Sequence, residues 1–249
     1  MAVNPWLIGV PAAALAGGAL ASFAAVNSRS QLFGATVFGT PSPLQLALTF
    51  DDGPNPRITP QLLDLLDQHG AKASFFVIGR FVSRCPGLTK EILGRGHLIG
   101  NHTETHPNLF WLGRPSLREE MRRCQDAILA ATGAAAEYFR PPYGYRNPWV
   151  VPTARELGMR TVLWTLLPGD WKAPSMEWLS ARMGPIAGHA RAAGRRQTGD
   201  VLCLHDGAHR ELGGDRTCTL AALGYWLPRW RDLGLKFVTI SEAVKLPAC

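Results

Sequence analysis

Leu46-Ala47-Leu48-Thr49-Phe50-Asp51-Asp52-Gly53-Pro54 is largely apolar as far as Phe50, then sets two carboxylates side by side and stops on Gly-Pro. An apolar run of this length reads as a buried strand of a parallel sheet. Gly53-Pro54, with Pro56 close behind, ends the ladder, because proline donates no hydrogen bond and glycine permits a sharp turn. Two like charges therefore sit at the carboxyl end of a buried strand, the end that carries ligand sites in α/β folds. Adjacent carboxylates repel, and burial worsens the repulsion unless a cation lies between them or one keeps its proton. In the competing reading one of them caps the helix that follows, but Asn55 and Thr59 are better placed as caps. The pair asks for a metal ion.

Outward from this strand the pattern alternates. Leu44–Phe50, Ala73–Ile78, His97–Gly100, Tyr138–Phe139, Thr161–Thr165, Val201–Leu204 and Leu235–Ile240 read as strands. Pro60–His69, Leu88–Gly94, Ser116–Ala131, Thr153–Leu157, Met176–Ala192 and Thr217–Leu233 read as helices. Ser116 is the expected cap of the third, Gly133 its stop, and Pro185 a kink in the fifth. Strand–helix alternation argues for parallel strands under covering helices, and the number of strands predicts an α/β fold closed into a distorted (β/α)7 barrel.

The chain of 249 residues is long enough for one such barrel with a substantial core. Its 46% hydrophobic and 18% charged residues are ordinary for a globular protein. The net charge of +7 comes from scattered arginines; no basic run and no nucleic-acid motif stands out, so no nucleic-acid partner is expected. Cys85, Cys124, Cys203, Cys218 and Cys249 are odd in number and lack CxxC spacing, which implies no disulfide framework. Cys203, inside an apolar strand run, reads as a small buried hydrophobe. Trp6 to Val26 holds no charged residue and, at about 1.5 Å per residue, would just cross a hydrocarbon core as a helix. Ala19-Leu20-Ala21 resembles a small-residue cleavage site, although no Lys or Arg precedes it. Residues 1–27 are thus expected to form a signal or membrane anchor, retained rather than cleaved, and 28–43 a linker. Residues 44–249 form the folded domain, facing the periplasm or cell exterior, or secreted if the leader is removed.

Four more polar clusters follow strands on the same end as Asp51-Asp52. In Asn101-His102-Thr103-Glu104-Thr105-His106-Pro107 two histidines share one face of a helical turn, a spacing that suits chelation of one ion. With one aspartate the set becomes His, His, Asp, which leaves coordination positions open. In Arg140-Pro141-Pro142-Tyr143-Gly144 an arginine at a strand end can hold a carboxylate, with a turn stiffened by two prolines. Gly169-Asp170-Trp171 and Leu204-His205-Asp206 add an aspartate and a histidine at separate strand ends, the ingredients of a charge-tuned acid.

The five segments Thr49–Pro54 (TFDDGP), His102–His106 (HTETH), Arg140–Gly144 (RPPYG), Gly169–Trp171 (GDW) and Leu204–Asp206 (LHD) resemble the ordered motifs of the polysaccharide deacetylases, the NodB-homology group or carbohydrate esterase family 4. The resemblance runs from about Leu44 to Ile240. It implies a distorted barrel with a divalent ion, zinc favoured over Co, Mn or Ni, held by Asp52, His102 and His106. It further implies Asp51 as general base, His205 as general acid, Arg140 positioning Asp51, and Asp170 keeping His205 charged. The Tyr143 backbone N–H would stabilise the oxyanion, with Trp171 and Leu204 lining a small pocket for the acetyl methyl. Where many members carry a further acidic residue before the Asp-Trp pair, this chain has Leu166-Leu167-Pro168. Glu104 and His209 take no role in this reading.

The implied reaction removes N-acetyl groups from amino sugars of a polysaccharide, peptidoglycan or glycolipid by metal-activated water. An O-acetyl ester, an N-formyl group or a cyclic imide would suit the same barrel. A non-catalytic carbohydrate-binding protein would be expected to lack the base, a ligand or the acid, and all are present here.

Overall fold

Every residue from Gln45 to Gly53 is buried in one strand, the spine of the sheet in a computed structural model that describes residue 18 and residues 21–245. The strands are β1 (Gly39–Thr40), β2 (Gln45–Gly53), β3 (Ala73–Val77), β4 (Leu98–Asn101), β5 (Tyr138–Phe139), β6 (Arg160–Thr161), β7 (Gly199–His205) and β8 (Lys236–Phe237). Their order is β1-β7-β2-β3-β4-β5-β6, with β8 against β2, and every pairing is parallel except β1 with β7. Beyond β6 the ladder gives way to single bridges, Val162 to Val37 and Leu166 to Leu202. These bring the open edge back to β1 and β7, so the barrel closes loosely on that side.

Successive residues of β2 and β7 alternate between two cores, as the period of a strand requires. Leu46, Leu48, Phe50, Leu202 and Leu204 pack towards the helices with Leu62, Leu63, Leu66 and Trp230. Ala47 and Val201 face inward with Phe76, Tyr138, Val162 and Ile240. Burial on both faces explains the nearly unbroken apolar run, and each such leucine or phenylalanine contributes about 1.5–3 kcal/mol.

Several elements depart from the sequence expectation. The helix expected from Ser116 runs Arg114–Thr132, with Gly113 at the N-cap and Pro115 in its first turn, where a missing N–H costs nothing. Gly133, in the left-handed region, is the stop as expected. The helix Thr59–Gln68 has no side-chain cap hydrogen bond; Asn55 Nδ2 donates instead to the carbonyls of Asp206 and Gly214, and Thr59 Oγ1 to the Asp206 carboxylate, tying the entry of the helix to the loop after β7. The chain breaks at Gly184 between the helices Met176–Met183 and Pro185–Arg191, where Pro185 predicts it. The last strand is only Lys236–Phe237, since a helix already starts at Ile240.

Part of the stretch expected to link the leader to the domain belongs to the sheet, as β1 and the Val37 bridge. Residues 21–26 are helical, and the fully buried Arg146 holds their carboxyl end. Its guanidinium donates to the carbonyls of Ala24 (2.9 Å), Asn27 (2.5 Å) and Ser30 (3.1 Å), and its backbone N–H to Ala25 O (3.0 Å). These bonds satisfy carbonyls that a helix end leaves without partners. Most of the expected anchor, residues 1–17 with 19 and 20, lies outside the described residues. Among the described residues no helix is long and apolar enough to cross a membrane.

Candidate active site

The carboxyl ends of β2, β4, β5 and β7 deliver the site. Asp51 is in register with His205 of the neighbouring β7, which sets the expected base beside the expected acid. Between Asp51 and Gly53 the β2–β3 register slips, and Asp52 takes a left-handed φ of 69°. The two aspartates are thus separated by an irregularity in the strand as well as by the pleat. Asp52, Thr103, His106 and Tyr143 are the non-glycine residues with positive φ among those described, and all four lie at this site. Each such conformation costs on the order of 1–3 kcal/mol, and it persists where surrounding contacts overdetermine it. Here the contacts include Gly207, where any Cβ would overlap the Asp52 carbonyl, and Gly53, where one would come within 2.5 Å of the Asp206 carboxylate.

His102 and His106 do not share a helical face. They stand on an irregular loop after β4, fixed by Thr103 Oγ1, which accepts from the His106 N–H at 3.1 Å. The loop still brings both rings to Asp52. His102 Nε2 is 3.6 Å and His106 Nε2 3.3 Å from Asp52 Oδ1, a buried oxygen with no hydrogen-bond partner among the described residues. His102 Nδ1 lies 2.7 Å from the Arg140 carbonyl, which can only accept, so Nδ1 carries a proton and Nε2 is the nitrogen turned towards Asp52. Burial, assisted by the neighbouring His102, pushes His106 down to about 3 and leaves its ring neutral. Burial opposes the charge on Asp52, but the His209 contact, together with the positive charge on nearby His205, outweighs it and holds this carboxyl well below the usual range. Ligands of a tetrahedral ion with bonds of about 2.1 Å stand about 3.4 Å apart. One carboxylate with two imidazole nitrogens at these distances from its oxygen fits a divalent cation.

Asp51 does not face that cradle alone. Arg140, buried completely, donates through Nη1 to Asp51 Oδ1 at 2.7 Å and to Thr49 Oγ1 at 2.8 Å, with its guanidinium 4.2 Å over the Phe76 ring. On the other side, Asp170 accepts from the His205 ring Nδ1 at 2.8 Å and from the His205 backbone N–H at 2.7 Å, while Thr219 Oγ1 donates to it at 3.0 Å. Burial disfavours a charged His205, but the Asp170 carboxylate prevails and raises it to about 9. Trp171 packs edge-on against the His205 ring, with centroids 5.0 Å apart.

Nine of the ten expected site residues converge on this cleft. Leu204 does not: it lies on the face of β7 opposite Cys203 and His205, packed in the helix-side core. Two residues without an expected role do reach the cleft. His209 stacks on His106 with centroids 4.4 Å apart, and its Nδ1 is 3.7 Å from Asp52 Oδ2. Cys203 sits against Asp51. Asp52, His106 and His209 form one group of mutually close ligand atoms, and Asp51, Cys203 and His205 another. The only signal for His209 was its place on a strand-end loop, and strand alternation with His205 was the signal for Cys203.

Residues 39–162 match the polysaccharide deacetylase family model. A peptidoglycan-N-acetylglucosamine deacetylase of Bacillus cereus is 39% identical over 206 residues, covering 80% of this chain and 88% of that protein. A chitooligosaccharide deacetylase of Azorhizobium caulinodans is 35% identical, covering 75% of this chain and 88% of the relative. Among solved structures, the Bc1960 peptidoglycan N-acetylglucosamine deacetylase superposes with a TM-score of 0.73 at 30% identity, covering 84% of this chain and 92% of that one. A pseudoenzyme of carbohydrate esterase family 4 from Bacillus anthracis gives 0.72 at 26% identity, covering 85% and 69%. The chain belongs to the polysaccharide deacetylase family, as a hydrolase of carbon–nitrogen bonds other than peptide bonds.

Proposed function

We propose that the protein is a metal-dependent hydrolase that removes N-acetyl groups from amino sugars of peptidoglycan, a chitin-like oligomer or a lipid-linked glycan. The observation that carries this reading is the pairing of Asp51 with a charged His205 across adjacent strands, beside a cradle fit for a cation. A pseudoenzyme shares the fold, so the fold alone does not imply turnover. The intact set of base, acid and candidate ligands does support it.

Asp52, His102 and His106 would hold the ion, which when bound polarises a carbonyl and acidifies water. Asp51, oriented by Arg140, accepts the proton of the attacking water. The Tyr143 backbone, turned by its φ of 58°, directs its N–H as an oxyanion donor. His205, kept protonated by Asp170, gives its proton to the departing sugar amine. Trp171 forms the apolar side of the acyl pocket. The protein acts outside the cytoplasm, held at the membrane by the segment before residue 21 or secreted if that segment is cleaved; the uncharged stretch that begins at Trp6 supports that placement.

The test is acetate release from chitooligosaccharides and peptidoglycan fragments, by wild type and by Asp51→Asn with equal metal content. General-base loss should lower turnover by about 10²–10⁴-fold. A near-normal rate for Asp51→Asn removes Asp51 from the base role. Release of formate, or cleavage of O-acetyl esters alone, would move the substrate class.

A further inference from the structure

Each oxygen of Asp51 meets a different donor. Arg140 Nη1 takes Oδ1 at 2.7 Å, while Oδ2 lies 3.4 Å from Cys203 Sγ and 3.9 Å from His102 Nε2. The thiol is also 3.5 Å from Arg140 Nη1, so it fills the angle between the arginine and the carboxylate. Cys203 is 1% exposed and reaches this place because alternate residues of β7 face the barrel interior.

We infer that Cys203 is a positioning residue for the catalytic base, its S–H donating to Asp51 Oδ2 and fixing the carboxylate plane that Arg140 alone would leave free to pivot. This rests on the proposed role of Asp51. A carboxylate paired with Arg140 offers only acceptors, so the proton of the contact comes from sulfur. Burial, then the Asp51 charge, pushes the thiol well above its ordinary range and keeps that proton in place. Among the described residues Oδ2 has no other hydrogen bond. A thiol is a weak donor, so it orients the base while drawing little electron density from it.

Cys203→Ala and Cys203→Ser remove the same sulfur and leave side chains of similar volume, differing in a hydroxyl donor. Cys203→Ala should lower kcat about fivefold, the worth of roughly one hydrogen bond, with KM and metal content unchanged. Cys203→Ser should recover most of that loss. Equal losses in both variants would make the role one of packing, and a rise in KM at constant kcat would make Cys203 part of the substrate pocket; either overturns the inference. A readout independent of turnover is the infrared S–H stretch, identified by its disappearance in Cys203→Ala. It should move to higher frequency in Asp51→Asn, and an unmoved band refutes the contact even if the wild type deacetylates no glycan.

Discussion

Replacing Asp170 with asparagine keeps the size of the side chain and removes the charge that holds His205 protonated. His205 stands at about 9 against an ordinary 6.5. At 1.36 kcal/mol per unit, that difference corresponds to about 3 kcal/mol of preference for the charged ring. Without the Asp170 carboxylate, burial pulls the ring back towards its ordinary value or below. At pH 7.5 the protonated fraction would then fall from about 97% to about 10%, an approximately tenfold loss of competent acid. The descending limb of kcat/KM should move from near pH 9 to near pH 6.5, and an NMR titration of ring-labelled histidine should report the same displacement. The stability consequence has a definite sign. A raised folded-state value stabilises fully below pH 6.5, and that contribution is lost as pH rises through about 9. The stability gap between wild type and Asp170→Asn should therefore be widest in mild acid and narrow above pH 9. A His205 titration still near 9 in Asp170→Asn would refute the coupling, as would an unmoved basic limb.

Gly207→Ala drives a Cβ into the Asp52 carbonyl, so metal affinity measured by chelator competition should fall about 10–100-fold, as when groups that orient a ligand are lost. An unchanged affinity would show that Asp52 is positioned by other contacts. Deleting residues 1–20, which stops short of the Ala24 and Ala25 contacts with Arg146, should leave the thermal transition intact and release the protein from the membrane fraction. Unchanged membrane association would refute the anchor.

What the sequence alone determined about this chain is local. The apolar run of β2, its end at Gly53-Pro54, and the recurrence of polar clusters where strands stop all follow from short-range pattern. They sufficed to predict parallel strands and the end of the barrel that carries the site. Tertiary structure decided whatever depends on which strand lies beside which. β7 pairs with β2, and only that register sets His205 and Cys203 against Asp51. Strand alternation is legible in sequence, but which face is the cleft is not, and so Leu204 belongs to the core while Cys203 belongs to the site. The His102 and His106 spacing suggested a helical turn; a loop with two left-handed residues presents both rings instead, because packing can outweigh local preference. The opening pair of aspartates shows the same division. Their adjacency required a cation or a shared proton, and neighbouring strands and loops assign one carboxylate to Arg140 and the other to the histidines.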